Sequence, residues 1–426
     1  MSQEQKSKVV GYLPDDRPGL FKMIFFALQQ VIVMFPATVL VAVLTKFDIG
    51  VTVTASGLAT IAFLLITRRR IPLYYGSSFS YIGAVQNIVN TEGIGAAQCG
   101  IVGSGFVSII AGGLIRAFGQ KSIKKILPPI ITGSVAIVIG LSLAGSALGQ
   151  AQTSWTVAGV TLIATILFSV YLRGVWSQLP ILLGVAVGYI VALCMGQVDF
   201  SAFAHAQIFE IPHFQFPKWS PAALLAIMPV AIATIPESTA HLYQIDLYVN
   251  NLAKKLGRKK EYPIANLLGQ NLMGDGLGDI VSGLIGGPAG TNYGENNSLM
   301  AITRNFSVPV LLLASCIAIA LGFLGYVAAA VRTIPVSVIG GVSIYLFGII
   351  GLQGIALMIS EKVDLFNART LAVGATILIL GLATGGIITV GKVTLPAIAT
   401  AAIAGILLNL IFTFIPDKAQ ETVEAE

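Results

Sequence analysis

Long apolar stretches follow one another along almost the whole chain, separated by short polar breaks. A helix needs about 20 residues to cross the hydrocarbon core of a bilayer. Read between charged or turn-rich breaks, the stretches are 20–45, 50–67, 71–90, 97–117, 128–149, 154–172, 179–198, 220–245, 263–286, 287–303, 306–331, 334–359, 369–388 and 395–415, fourteen in all. Only 10% of the residues are charged and 55% are hydrophobic, with a mean hydropathy of +0.86. A soluble domain carries about 25% charge, so this chain cannot cover a water-facing surface. That excludes a soluble enzyme and a disordered chain. An outer-membrane barrel is excluded too, because its strands alternate apolar and polar residues. The 46 glycines are mixed with Ala, Val, Ile and Leu, unlike a collagen, and suit helices that approach closely in lipid. The expectation is an all-α polytopic membrane protein.

The charges test the span count. With the N-terminus inside and fourteen alternating spans, 20 of the 25 basic residues fall on the inner side and 4 on the outer. Such asymmetry places both termini in the cytoplasm, in an inner or plasma membrane. It also accounts for the net charge of +6 without a nucleic-acid partner. The run from Lys254 to Lys260 reads as a cytoplasmic loop near anionic lipid. Cys99, Cys194 and Cys316 lie far apart in apolar stretches and read as small packing residues, with no disulfide or metal-ligand spacing. The first apolar stretch is too long for a signal peptide.

Two spans are weak as plain helices, the third and the tenth. They begin Ile71-Pro-Leu-Tyr-Tyr-Gly-Ser-Ser-Phe-Ser and Gly287-Pro-Ala-Gly-Thr-Asn-Tyr-Gly-Glu. They are seven apart, and an odd number of spans per half inverts the second half. This predicts a cytoplasmic tail at 1–19, a first repeat at 20–198, an external loop at 199–219, a second, inverted repeat at 220–415, and a tail at 416–426. Broken helices at matching positions in inverted repeats build substrate sites near the midplane. Breaking a helix frees backbone groups that an unbroken one consumes. Gly76 to Phe79 and Gly290 to Glu295 are therefore expected to offer backbone donors beside aromatic rings.

Two acids stand inside apolar spans, Glu237 and Glu295. Charge at the bilayer centre costs about 2.5–3.5 kcal/mol even on the lenient scale, so such residues mark pathways or relays. His241 follows Glu237 by four residues, on the same helix face. Pro229 and Pro236 weaken the backbone bonding upstream. Asp275 and Asp279 are read as caps or neutralisers of a cytoplasmic helix end, and His205 and His213 as solvated loop residues. Two carboxylates, freed N–H groups and the rings of Phe79 and Tyr293 suit a flat solute with ring N–H donors and carbonyl acceptors. Uracil fits, as do xanthine and urate. A phosphate or sulfate would need a midplane cation. No cofactor or metal is called for.

At these residues the chain resembles the nucleobase–ascorbate transporter family, its bacterial uracil permeases in particular. The carrying segments are Phe35-Pro-Ala-Thr-Val-Leu-Val, Ile71-Pro-Leu-Tyr-Tyr-Gly-Ser-Ser-Phe, Pro236-Glu-Ser-Thr-Ala-His-Leu and Thr291-Asn-Tyr-Gly-Glu-Asn-Asn-Ser-Leu-Met-Ala-Ile-Thr-Arg. Glu295 at the head of the last motif is similar to uracil permeases, where purine members carry Gln. The resemblance implies fourteen segments in two inverted repeats, core and gate domains, proton symport and a homodimer. It implies substrate contacts at Glu237, Glu295, Tyr293 and the backbone of Phe79 and Gly294. His241 matches the histidine of proton coupling, tied to the first glutamate. Two departures stand out. Gln29-Gln30 replaces a Gln-His pair, and Ser298 replaces a glycine. Other readings are a xanthine or urate symporter, an anion exchanger of related fold, and an intramembrane enzyme using Glu237 and His241 as acid and base. The last lacks HExxH, GxSxG and a cysteine pair.

Overall fold

The structure is a computed structural model that describes residues 11–119, 127–204, 206–382, 387–390 and 393–415. Its elements, in chain order, are α1 (Leu20–Thr45), α2 (Ile49–Ile66), β1 (Tyr75–Ser77), α3 (Ile82–Thr91), α4 (Ile94–Phe118), α5 (Pro129–Ser142), α6 (Ala144–Ala151), α7 (Trp155–Tyr171) and α8 (Pro180–Cys194). The second half holds α9 (Pro221–Ile227), α10 (Val230–Lys255), α11 (Leu268–Ile285), β2 (Gly290–Asn292), α12 (Gly294–Thr303), α13 (Val308–Gly322), α14 (Gly325–Arg332), α15 (Val336–Ser360), α16 (Ala368–Gly381), β3 (Ile387–Val390), β4 (Val393–Pro396) and α17 (Ala397–Phe414). Among the described residues, seven helical stretches are long and apolar enough to cross a membrane, and α7, α8, α13 and α16 are shorter apolar helices.

The helices sort by packing into two groups. In one, α4 lies along α11, α2 along α11 and α13, and α1 along α13. In the other, α15 packs on α5, α6 and α7, α7 on α8, and α16 on α17. The α4–α11 contact depends on glycines. A Cβ on Gly105 would strike the Gly276 carbonyl, and one on Gly112 the Gly269 carbonyl, and the reverse holds for each pair. Both pairs are seven residues apart along their helices, so the two backbones touch twice on one seam.

Several boundaries move. The span expected at 220–245 is split at Pro229, which stands just before α10. It then runs on to Lys255 in polar sequence, because Asn250 and Asp246 fasten the following loop: Asn250 Nδ2 donates to the Tyr262 carbonyl (2.8 Å) and Ala265 N–H to Asp246 Oδ1 (2.8 Å). The span expected at 306–331 breaks into α13 and α14 at Phe323-Leu324. There Glu210 N–H bonds the Phe323 carbonyl at 2.9 Å. The span expected at 369–388 ends at Gly381, and β3 pairs with β4.

Residues 11–17 do not behave as a tail. Tyr12 N–H donates to the Arg304 carbonyl (2.9 Å), Phe306 N–H to the Tyr12 carbonyl (2.8 Å), and Leu13 is fully buried. Arg258 pairs with Asp16 (3.0 Å) and Lys260 with Asp15, so two cations of the basic loop are held by this strap. Cys99 is buried, whereas Cys194 and Cys316 lie on the outer face and do not pack inside. His213 is exposed; His205, Lys121 and the 416–426 tail lie outside the described residues.

Candidate solute-binding site

The two weak spans meet. β1 pairs antiparallel with β2, in the register Tyr75↔Asn292, Gly76↔Thr291 and Ser77↔Gly290. Ser78 N–H donates to the Ala289 carbonyl (3.0 Å) and Tyr293 N–H to the Tyr74 carbonyl (2.9 Å) at either end of the ladder. This corrects one expectation. The backbone freed by breaking the helices is largely spent by each segment on the other, because buried N–H and C=O groups must find partners. The groups left for a solute are those at the starts of the half-helices. α3 and α12 both begin at the crossing, and Tyr293, the N-cap of α12, makes no side-chain cap bond. The first N–H groups of a helix have no partner within it, and they carry the positive end of its dipole.

The residues expected at the site are gathered here. Glu237 lies on α10 within electrostatic reach of His241 and Glu295. Glu295 is in the first turn of α12. Both carboxylates are half-buried, and among the described residues neither has a hydrogen bond or an ion pair. Phe79 is half-buried in the turn before α3, which packs on α10. The Tyr293 ring is packed against Gly76, where a Cβ would run into it. The Thr38 hydroxyl donates to the Met34 carbonyl (2.9 Å), so the Tyr293 phenol, 2.9 Å away, is the donor to Thr38. Gly294 lies against His241 Nε2.

His241 is tied to Asn292 and not, by any direct hydrogen bond among the described residues, to Glu237. Its Nδ1 lies 2.9 Å from the Asn292 carbonyl and 2.8 Å from Asn292 Oδ1. Both are acceptors, so Nδ1 carries a proton and the neutral ring leaves Nε2 as its acceptor. Asn292 Nδ2 donates to Ser238 Oγ (3.0 Å), as does Asn271 Nδ2 (2.6 Å), and the Ser238 hydroxyl donates to Asp275.

Asp275 and Asp279 therefore do not cap a helix end. Both are buried in the middle of α11, 5% and 1% exposed. Asp279 Oδ1 accepts from the Tyr75 hydroxyl (2.5 Å) and from Gly290 N–H (2.7 Å). A carboxyl group this deep needs hydrogen-bond partners for its oxygens, and for Asp279 the strands supply them. The departure at Gln30 is also accommodated. Gln30 is buried, and its Oε1 accepts from Asn296 Nδ2 at 2.7 Å, beside Glu295. Ser298 is half-buried one turn further along α12. Sequence reading passed over Asn292, Ser238, Tyr75 and Ser104. The only signal was polar residues recurring next to Gly276, Gly278 and Gly290, where chains cross.

A cavity of about 180 Å³ opens next to the site, lined by Pro236, Thr239 and Tyr243 of α10 and by Leu357, Ser360 and Glu361 at the end of α15. It lies between the two packing groups.

Residues 21–390 match a pattern described as the permease family. The uracil permease of Bacillus caldolyticus is 39% identical over 428 residues, covering 96% of each chain.

The chain belongs to this permease family.

The uracil permease of Escherichia coli (strain K12) is 36% identical over 419 residues, covering 96% of this chain and 95% of its own. In three dimensions the chain resembles murine solute carrier 26 family member A9, an anion transporter solved in the inward-facing state. The TM-score is 0.65 at 11% identity, covering 97% of this chain and 73% of the other. At that identity the likeness speaks for the fold alone. With its apolar helices, this permease is a multi-pass membrane protein.

Proposed function

We infer that this permease imports uracil across the cytoplasmic membrane by proton-coupled alternating access. The observation that carries the reading is the pair Glu237 and Glu295. They are two half-buried carboxylates near one another, with no hydrogen bond or ion pair among the described residues, beside the Phe79 and Tyr293 rings and the start of α12. Uracil presents two ring N–H donors and two carbonyls on a flat ring. The carboxylates accept the N–H groups. The backbone N–H groups near Phe79 and Gly294 donate to the carbonyls. The two rings cover the faces. Curated relatives of near-equal length are named uracil permeases, which supports the same solute.

In this reading the fourteen segments form two inverted repeats, the termini are cytoplasmic, and the protein is a homodimer in the bilayer. The α1–α4 and α9–α14 group is the core that holds the solute. The α5–α8 and α15–α17 group is the gate, and the cavity between them is part of the path to one side. Neutral uracil gains nothing from the membrane potential unless a cation moves with it, at about 2.3 kcal/mol per charge per 100 mV. His241 Nε2, the acceptor atom of a ring fixed through Nδ1 and close to Glu237 and Gly294, is the group that takes up the symported proton.

Uptake into proteoliposomes with uracil, thymine, xanthine, urate and sulfate as competitors tests this. Uracil is expected to accumulate unchanged, driven by an inward proton gradient and blocked best by unlabelled uracil. Competition led by xanthine or urate would move the assignment to a purine symporter, and competition led by sulfate to an anion carrier.

A further inference from the structure

Asp279 stands behind the site and has no hydrogen bond to either carboxylate, yet it bonds both broken segments and α4. Its Oδ1 accepts from the Tyr75 hydroxyl of β1 at 2.5 Å and from the Gly290 N–H of β2 at 2.7 Å. Its Oδ2 lies 3.4 Å from Ser104 Oγ of α4, and that hydroxyl lies 2.6 Å from the Tyr81 hydroxyl just before α3. All of these side chains are buried. The Tyr75 ring runs across the Gly290 α-carbon, where a Cβ would collide with it. Gly278, one residue before Asp279, also lacks a Cβ that would strike the same ring. The fit of ring, glycines and carboxylate leaves little slack.

The ladder itself has three residue pairs. A two-stranded pairing this short has little stability of its own. Tyr75 and Gly290 stand at opposite ends of it, opposite Asn292 and Ser77. A single oxygen that holds the tip of the Tyr75 ring and the backbone of Gly290 ties a side chain of one strand to the main chain of the other, and so opposes sliding as well as splaying. Asn292 anchors His241 and precedes Tyr293, and Ser77 lies two residues before Phe79. The spacing of the strands thus sets the gap between the groups that face the solute.

We propose that Asp279 is a positioning residue: by gripping both broken segments through one oxygen, it fixes the width of the solute site and so its discrimination among flat rings. The proposal deepens the uracil reading and rests on it for the choice of solute.

The test uses the purified full chain in detergent, with the variants Asp279→Asn, Asp279→Ala and Tyr75→Phe. Asparagine can keep its carbonyl oxygen on Tyr75 and Gly290 and turn its amide to the Ser104 hydroxyl. It is expected to hold uracil affinity to within about threefold and the uracil-to-thymine preference unchanged. Alanine removes the grip. Uracil affinity is expected to fall about tenfold or more, and the preference over 5-methylated thymine to narrow as the gap loosens. Tyr75→Phe removes one hydroxyl and should show the same change of preference in milder form, which keeps the test open if the alanine variant does not fold. Amide exchange across residues 289–294, read in the same samples without solute, should quicken in Tyr75→Phe and not in Asp279→Asn. Exchange and preference unchanged in Tyr75→Phe would overturn the proposal. Asparagine failing as badly as alanine, with a shifted pH profile of uptake, would overturn it too, since the charge and not the grip would then matter. Wild type that binds no uracil counts against the transport reading alone, because the exchange comparison still decides the positioning role.

Discussion

Replacing Glu237 or Glu295 by Gln isolates the charge of a proposed site residue with little collateral damage, because neither carboxylate has a protein hydrogen bond to lose among the described residues. The expected cost is the difference between a hydrogen bond to a charged acceptor, about 1.5–3 kcal/mol, and one to a neutral acceptor, about 0.5–1.5 kcal/mol. The difference of roughly 1–1.5 kcal/mol corresponds to about tenfold in Kd. Alanine removes the acceptor altogether, so the whole of roughly 1.5–3 kcal/mol is lost, or about ten- to a hundredfold. The two positions should not add. Glu295 adds to the negative charge around Glu237, so each single Gln variant already gains from the relief of that repulsion while the double gains it only once, and the double Gln variant should lose more than the product of the singles.

Glu295 carries a second effect that must be separated. It lies in the first turn of α12, where a negative charge stabilises a helix by roughly 0.3–1 kcal/mol. Glu295→Gln should therefore lower the melting temperature slightly, and Glu237→Gln, far from a helix N-terminus, should not. Titration calorimetry with uracil and xanthine reads affinity, and a melting curve of the same sample reads stability. Since purine members of the family resembled carry Gln at the Glu295 position, Glu295→Gln should also raise xanthine recognition relative to uracil. Uracil affinity unchanged in all four single variants would remove both residues from the site and refute the binding mode.

Three further outcomes are expected. His241→Ala should retain uracil binding but lose accumulation driven by a pH gradient, measured by proteoliposome uptake with and without the gradient; normal accumulation would hand the proton to Glu237. Gly76→Ala should abolish binding while the protein still inserts, because its Cβ runs into the Tyr293 ring and overpacking costs about 1–3 kcal/mol; a calorimetric titration matching wild type would contradict the close crossing. Thr239→Cys with Ser360→Cys places thiols on two walls of one cavity, on α10 and α15, and a short bifunctional crosslinker should stop uptake reversibly; full transport in the crosslinked protein would show that this seam does not move.

The membrane architecture was legible because lipid imposes a length. α1 begins and ends where its apolar stretch does, and α2, α7, α15 and α17, and α5 and α6 taken together, fall within a few residues of theirs. Length stops being informative where the chain leaves the apolar rule. α10 continues on Asp246 and Asn250 because side-chain bonds to the next loop replace lipid contact. The strap at Tyr12 to Asp16 is polar and looks like a tail, yet its order comes from backbone bonds to residues almost 300 positions away. Glu237 and Glu295 were visible because a carboxylate in an apolar span has few structural uses. Asp275 and Asp279 have the same chemistry and were misjudged, since one sequence does not show which acids are surrounded by donors from other helices. Nothing in Asn292 alone announces that it holds His241, because that contact joins positions 51 residues apart.

The strand pairing bears on how such a permease can move. β1 belongs to the first half and β2 to the second, and their ladder, the Tyr75–Asp279 bond, the Tyr293–Thr38 bond and the Asn296–Gln30 bond all cross between the halves. Opening the solute site by parting the two halves would break each of these, leaving buried donors and acceptors unpaired at about 1–3 kcal/mol apiece. Those bonds all lie within the group that contains α1, α2, α4 and α11. The lining of the neighbouring cavity, where α4 and α10 face α5 and α15, is of another kind, with apolar side chains such as Ile115, Ile235 and Leu357 among it. Apolar surfaces can slide with little directional penalty, whereas hydrogen-bonded ladders cannot. On the proposed reading, the solute site would then travel as one piece, with access alternating where the two packing groups meet.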